Sequence, residues 1–349
     1  MQILFLASGR LAPSTRFRIV PYLKHFREDG HRCTIANSFP QKYDYFPWMG
    51  FRPSQLLKRS VRWWHWLRAF LGRYDLVYVE REIFDDSTSD MEERFRRACG
   101  RLVLDIDDAV FLRYPQKFER LLPMADLVVC GNRFLEERIE QWNPNTLQIP
   151  TCVNIEKYLT PGPAKTSTPP AVGWMGTTGN LQYLSAAAEA LRSVAAEIEF
   201  ELHLFVPELS GLDDIDLTGV KIVHRPWSAQ EEVQQLQSID IGLMPLYSDQ
   251  EWDRFKCGMK LIQYLAAGVP GIASPVGVNI DILNHEQNGF SARSPDEWRK
   301  ALKILLTNDN LRCQMGRNGH DFVREHYSIH VHYPVLRDAL LQLCRTDEF

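Results

Sequence analysis

Short apolar runs of strand length alternate with stretches of helical period along nearly the whole chain, and the alternation breaks once. Residues 3–7, 33–36, 76–79, 102–106, 127–130 and 147–149 are strand-like, with helical patterns between them, for example at 18–29, 55–71 and 90–98. Near-continuous apolar runs are what strands buried on both faces show, and strand–helix–strand repetition calls for a parallel sheet with crossover helices. The stretch Leu159-Thr-Pro-Gly-Pro-Ala-Lys-Thr-Ser-Thr-Pro-Pro170 then carries no apolar period. Its prolines cannot donate to a sheet or continue a helix, so it reads as a linker. The pattern restarts at 171–175, 200–206, 221–223, 239–244 and 271–273, and residues 314–343 are helical in period. The fold class is therefore α/β, with two Rossmann-like, doubly wound parallel-sheet domains at 1–158 and 171–325, a linker at 159–170 and a terminal helical segment at 326–349. Sheets of this kind bind ligands beyond the carboxyl ends of their strands, so the residues just after each strand are where chemistry is sought.

A length of 349 residues exceeds what one core usually supports, and 45% apolar with 24% charged residues is the composition of a globular protein. No apolar run is long enough to span a bilayer, and residues 1–7 read as a first strand rather than a signal peptide. The seven cysteines are scattered and form no CxxC pair, which points to a reducing, cytoplasmic setting and away from a structural zinc site. The net charge of −4 is uneven: residues 1–160 carry +4 and residues 161–349 carry −8. A basic first half suits one domain facing an anionic surface. No basic–aromatic nucleic-acid motif is present, so nucleic acid is not an expected partner.

The densest chemistry lies at Lys256-Cys-Gly-Met-Lys-Leu-Ile-Gln-Tyr-Leu-Ala-Ala-Gly-Val-Pro270, continuing through Ser274-Pro-Val-Gly277. The spacing predicts a helix with Lys256 and Lys260 one turn apart at its start, ended by Gly268 and Pro270 and followed by a buried strand. Unpaired N–H groups and the positive end of a helix, joined by two cations, form a site for a diphosphate. Gly173-Trp-Met-Gly-Thr-Thr-Gly-Asn180 turns from the first strand of the second half into a helix, so Gly176, Thr177 and Thr178 are placed to meet a phosphate. Thr177, Thr178 and Asn180 are neutral, which leaves the cationic load to Lys256 and Lys260. In Arg225-Pro-Trp-Ser-Ala-Gln-Glu-Glu232, Trp227 suits either stacking on a base or packing on the next helix, and Ser228 with Glu231 reads as a capping box.

The 256–277 passage resembles the donor-binding segment of retaining, group-1-like glycosyltransferases, of the family 4 type, which have the GT-B fold. There too a helix beginning near a Cys/Phe-Gly pair leads into Tyr/Met-x-Ala-x-Gly-x-Pro and a Ser-Pro-x-Gly-like loop. The resemblance implies two domains facing across a cleft, a C-terminal helix returning to the first domain, and a nucleotide-diphosphate sugar as substrate. It implies no cofactor and no bound metal. Donor contacts fall on Gly176, Thr177, Thr178, Trp227, Gln263 and Gly277. Two glutamates usual in the family fall here on Phe255 and Gln263. An amide at Gln263 still bonds ribose hydroxyls, whereas Phe255 replaces no acid; Glu251 or Asp253 is the available substitute.

In the first half, Asp105-Ile-Asp-Asp108 follows a buried strand. It is open to three readings: a metal-binding DxD motif, an acidic cluster like that on the acceptor side of some group-1 enzymes, or a helix N-cap. Glu80-Arg-Glu82 ends another strand on the same edge. Ser14-Thr-Arg-Phe-Arg18 corresponds to a loop that reaches acceptor and donor phosphate in the resembled family. The acceptor candidates are thus Arg16, Arg18, Glu80, Arg81 and Glu82, and the catalytic candidates Lys256, Lys260, Asp107 and Asp108. Between 51 and 74, Leu56, Leu57, Trp63, Trp64, Leu67, Phe70 and Leu71 share one helical arc, with Lys58, Arg62 and Arg73 opposite and Trp66 beside them. Such a helix either packs its apolar arc on its own sheet or makes peripheral membrane contact through residues 55–73.

The resemblance, taken with these features, implies a glycosyltransferase moving sugar with retention to a saccharide or lipid-linked acceptor. The leaving diphosphate is stabilised by Lys256, Lys260 and helix N-termini, with no protein nucleophile. The same fold also serves nucleotide-sugar epimerases and hydrolases, for which Asp107, Asp108 and Glu82 are available bases, and non-catalytic binding subunits.

Overall fold

The computed structural model describes residues 1–158 and 169–345, so most of the linker expected at 159–170 lies outside the described residues. The chain divides into two compact units: Met1–Cys152 with the final helix Ile329–Arg345, and Val153–Ser328. Residues 153–158, assigned above to the first domain, pack with the second: Val153 N donates to Tyr327 O, and Tyr158 lies in that unit's core.

Unit 1 is a six-stranded sheet of β1 (Gln2–Ala7), β2 (Arg32–Asn37), β3 (Leu76–Glu80), β4 (Leu102–Ile106), β5 (Leu127–Cys130) and β6 (Thr146–Gln148), in the order β2-β1-β3-β4-β5-β6. All neighbours are parallel. The strands are apolar on both faces because helices cover both, and β3 and β4 are buried along their whole length. The final helix adds Ile329, Tyr333, Leu336 and Leu340 to the core around Phe5, Tyr22 and Phe26. Tyr333 Oη and Arg337 Nη1 both donate to Asp29 Oδ2, at 2.7 and 3.0 Å, fixing this helix against Val20–Glu28.

Unit 2 is also six-stranded and parallel: β7 (Ala171–Met175), β8 (Glu201–Phe205), β9 (Lys221–Arg225), β10 (Ile241–Met244), β11 (Gly271–Ala273) and β12 (Gly289–Ser291), in the order β12-β11-β10-β7-β8-β9. The last strand was not expected: Gly-Phe-Ser is too short to show a period, and it exists because Gly289 lies flat against the Gly271 backbone. The winding reverses between β1 and β3 in unit 1 and between β7 and β10 in unit 2. Loops leaving those strands diverge and leave a crevice, the switch point at which doubly wound sheets take ligands.

The helix Phe51–Leu71 is turned opposite to the packing its apolar arc suggests. Its buried residues are Ser54, Lys58, Arg62 and Ala69. Arg62, 1% exposed, donates to Ala36 O at 2.8 Å and Ala7 O at 2.7 Å, capping carbonyls at the ends of β2 and β1. Lys58 Nζ donates to Lys42 O and Asp44 O at 2.5 and 3.1 Å. Trp64 (59% exposed), Phe70 (62%) and Leu71 (75%) face outward with Trp63 and Leu67. Strand-end carbonyls need donors once buried, and long cationic side chains supply them, so hydrogen-bond demand overrides apolar period here.

Candidate functional site

In unit 2 the predicted lysine-bearing helix begins later than the spacing suggested. Gly258 takes φ +61°, a left-handed conformation, and the helix runs Met259–Ala266. Lys260 therefore sits in its first turn, whereas Lys256 lies before it, in the turn that follows the short helix Glu251–Arg254. A side chain at Gly258 would also strike Ile282, so glycine is required there twice over. Gly277, at φ +53°, lies against the backbone carbonyl of Arg254, which joins the loop after β11 to the Lys256 turn.

Lys256 is held by a small buried network. Its Nζ pairs with Asp253 Oδ1 at 2.8 Å and lies 3.8 Å from the centre of the Tyr183 ring. Asp253, fully buried, also accepts from Tyr183 Oη at 2.6 Å and from Tyr247 N at 3.0 Å. Lys260 Nζ lies 5.2 Å from the centre of the Trp174 ring, on β7. Gly176 lies over the same ring, with room for no side chain. Trp174 thus connects Lys260 to the turn bearing Gly176, Thr177 and Thr178, and the candidate donor residues on both sides of the switch point come together. The Thr178–Leu184 turn then carries Tyr183 to Lys256.

Two other donor candidates are placed differently. Gln263 is buried, with its Nε2 turned to Tyr158 Oη at 3.4 Å. Trp227 donates through Nε1 to Glu232 Oε1 at 3.2 Å and packs on the core beside the next helix, the second of the two roles open to it. Ser228 Oγ accepts from Glu231 N at 3.2 Å, but the helix begins only at Glu232 and has no side-chain cap, so the capping box expected at Ser228 and Glu231 does not form. Phe255, at one of the family's usual acid positions, is buried; of the two nearby acids, Asp253 is fully buried with its oxygens committed to Tyr183, Tyr247 and Lys256, and Glu251 is exposed.

In unit 1 the charged strand ends are mostly spent on one another. Glu80 accepts from Ser14 Oγ, from Thr15 Oγ1 at 2.5 Å and from Ser8 N at 3.2 Å, so it anchors the loop after β1 across the switch point. Arg18, proposed as an anion contact, is instead buried: Nε donates to Asp105 Oδ1 at 2.7 Å and Nη1 to Ile149 O and Thr151 Oγ1. With its fork committed inside the core it has no free face for a ligand. Arg16 is half-buried, its guanidinium 5.1 Å from the centre of the Phe17 ring. Glu82 is buried, ion-paired with Lys42 Nζ at 3.3 Å, and accepts from Tyr43 Oη at 3.0 Å.

Arg81 stands apart. It adopts φ +59°, rare for a residue with a side chain, and that conformation aims its guanidinium at Asp107 Oδ1 (2.5 Å) and Asp108 Oδ2 (3.7 Å). Backbone strain of this kind, of order 1–3 kcal/mol, persists where surroundings enforce it and clusters at functional sites. Burial would raise the Asp107 pKa, but Arg81 outweighs it and holds the carboxyl below its ordinary value. Burial pushes Asp105 up to about 6 against the pull of Arg18. Among the described residues no group of three or more His, Cys, Asp or Glu side chains is arranged to hold a metal ion; Asp105, Asp107 and Asp108 each face an arginine. Lys42, Tyr43, Ser14 and Thr15 escaped sequence reasoning because their partners are distant in the chain and their types are unremarkable.

Residues 169–308 match the family model described as glycosyl transferases group 1. No curated protein matches the chain by sequence. Among solved structures, sucrose-phosphate synthase from Thermosynechococcus elongatus superposes with a TM-score of 0.73 at 14% identity, covering 98% of this chain and 99% of that one. A glycosyltransferase from Rickettsia africae gives 0.69 at 13% identity, with 99% of each chain covered. HepE of Anabaena, solved in complex with UDP-glucose, gives 0.65 at 14% identity, with 98% of this chain and all of that one covered. Residues 169–308, within unit 2, thus match the group 1 glycosyltransferase model, in a chain whose two Rossmann-like sheets have the GT-B fold.

Proposed function

We propose that the chain transfers a sugar, with retention and without a bound metal, from a UDP-type nucleotide-diphosphate donor held by unit 2 to a saccharide acceptor held by unit 1. The observation that carries this reading is the Asp253–Lys256–Tyr183 network beside Lys260 and the Gly176 turn, inside the segment that matches the family. Asp253 and Tyr183 hold Lys256 in place before any ligand arrives, and such preorganisation is what charge stabilisation in a transition state requires. In the reaction the bond from the anomeric carbon to the donor's phosphate oxygen breaks. Lys256, Lys260 and the N–H groups at the helix start offset the charge that develops on the leaving diphosphate. The acceptor hydroxyl attacks the same face, and its proton passes to that phosphate oxygen. Two fixed cations take the place a divalent ion would hold. HepE, of the same fold, is described with UDP-glucose, and UDP-glucose is the first donor to try. Incubation with UDP-glucose and glycoside acceptors in EDTA, followed by NMR of the product's anomeric linkage, tests the reading. An inverted linkage, or turnover only with Mn²⁺, refutes it.

The outward face of Phe51–Leu71 supports a peripheral membrane contact and hence a lipid-linked or surface saccharide, of the kind used in polysaccharide assembly, as acceptor. Residues 51–74 contain no Asp or Glu, and Arg52, Arg59, Arg68 and Arg73 are exposed beside the Trp and Phe side chains. Apolar rings entering the interface with arginines at headgroup level are the composition of a helix lying on an anionic leaflet. No helix of the described residues is long and apolar enough to cross a membrane. Flotation with phosphatidylglycerol vesicles should carry the protein and fail with Trp64→Ala/Phe70→Ala. Equal flotation of both proteins counts against it.

A further inference from the structure

Between β2 and the helix Phe51–Leu71 the chain makes a loop rich in rings: Phe39, Tyr43, Tyr45, Phe46 and Trp48. It is pinned from below. Lys42 N donates to Ser8 O at 2.8 Å, the Lys42 ammonium pairs with Glu82, and Lys58 Nζ caps the carbonyls of Lys42 and Asp44. Phe39 packs edge-on against Phe46 at 5.3 Å between ring centres, and Phe46 stacks on Trp48 at 5.8 Å. A loop so held keeps a shape, and that shape is concave: residues 39–41 and 43–46 line an open cavity of about 350 Å³. Phe39 is 56% exposed and Tyr45 49%.

The lining distinguishes this cavity from the helix face beside it. A surface for lipid or for an apolar partner would be hydrophobic throughout. Here the amide of Gln41 donates to Asp44 Oδ2 at 2.8 Å, and its oxygen accepts from Leu11 N at 3.0 Å. Ring faces alternate with an amide and a carboxylate. A pyranose has this chemistry in complement: its axial C–H bonds form an apolar face that packs on a ring, and its equatorial hydroxyls donate to and accept from groups such as amides and carboxylates. The volume lies near the lower end of the roughly 300–1,000 Å³ of small-ligand sites, which admits one or two sugar rings. Tyr43 ties the cavity to the strand ends by donating to Glu82 Oε1 at 3.0 Å.

The geometry points to a saccharide subsite in this cavity, taking one or two pyranose rings against Phe39 and Tyr45. It rests on the transferase reading and specifies its acceptor as a pyranoside recognised through its ring faces.

Saturation-transfer NMR on the full chain tests it, with methyl α-glucoside, methyl β-galactoside, methyl α-mannoside and methyl N-acetylglucosaminide as probes. At least one should receive saturation, strongest on the C–H protons of a single ring face. Tyr45→Ala and Phe39→Ala should each weaken its binding roughly 2- to 12-fold, the range for aromatic stacking. Trp64→Ala should leave it unchanged, and stabilisation by UDP in the same samples reports that the variants are folded. Saturation of none of the four probes overturns the subsite, as does sugar binding that both variants leave intact. Variants that lose phosphatidylglycerol vesicles but keep the sugar overturn it too, in favour of a lipid-facing loop. Sugar binding without UDP binding would leave the subsite standing and remove the transferase reading.

Discussion

Asp253→Asn is the perturbation that separates a preorganised donor site from a chance cluster. The substitution preserves shape and removes charge from a fully buried carboxylate with three donors around it: Tyr183 Oη, Tyr247 N and Lys256 Nζ. An asparagine presents one oxygen and one NH₂, so whichever way it is turned the NH₂ meets a donor. Breaking a buried pair costs about 3–5 kcal/mol when the stranded charge stays buried. The Lys256 side chain is 17% exposed and regains some water, which places the expected cost near the lower end, about 3 kcal/mol. For a unit of this size that is roughly 6–12 °C in melting temperature. Urea unfolding of wild type, Asp253→Asn, Lys256→Ala and the double variant closes a cycle, in which we expect a coupling of about 1–2 kcal/mol between the two residues. UDP affinity should fall in Asp253→Asn as well, because Lys256 loses its fixed position. A stability loss below about 0.5 kcal/mol, or strictly additive single variants, refutes the reasoning.

Two further outcomes follow from unit 1. Arg62→Ala strands the carbonyls of Ala7 and Ala36 and opens a cavity, so it should cost about 3 kcal/mol or more, whereas Trp64→Ala and Leu71→Ala should each cost less than about 0.5 kcal/mol in urea unfolding; the reverse ranking would mean that the helix packs on its apolar arc. Burial raises the Asp105 carboxyl from its ordinary 3.8 to about 6, so the folded chain takes up this proton first on acidification. The stability it contributes is complete below pH 4 and lost as pH rises through 6, on the order of 2–3 kcal/mol, and Asp105→Asn should flatten that slope in unfolding measured from pH 4 to 7; an unchanged slope in the variant counts against it. Asp107, held low by Arg81, acts in the opposite sense and only below its ordinary range, so the two windows separate.

The sheets were legible because burial on both faces writes itself as apolar runs: Leu76–Glu80 and Leu102–Ile106 are apolar nearly throughout and buried end to end. Gly289–Ser291 was not, since three residues carry no period and its place depends on a backbone contact with Gly271. The Phe51–Leu71 helix was legible as a helix and misleading as a face, because carbonyls from two distant strands recruited its cations. At the site, the lysines were legible as chemistry, yet Gly258 delays the helix and takes Lys256 off it. The carboxylates after β3 and β4 were visible as charge, but their meaning depends on partners: Ser14 and Thr15 for Glu80, Lys42 for Glu82, Arg18 for Asp105. Arg81 faces Asp107 and Asp108 from a left-handed backbone, a pairing that no spacing in the sequence announces.

The central claim is that unit 2 binds a nucleotide diphosphate through Lys256 and Lys260, and calorimetric titration with UDP measures it directly. Wild type should bind in EDTA, and Lys256→Ala and Lys260→Ala should each lose about 1.5–3 kcal/mol of binding free energy, roughly 10- to 150-fold in affinity. Wild-type affinity in both variants, or no binding by the wild-type chain to UDP or any other nucleotide diphosphate, would contradict it.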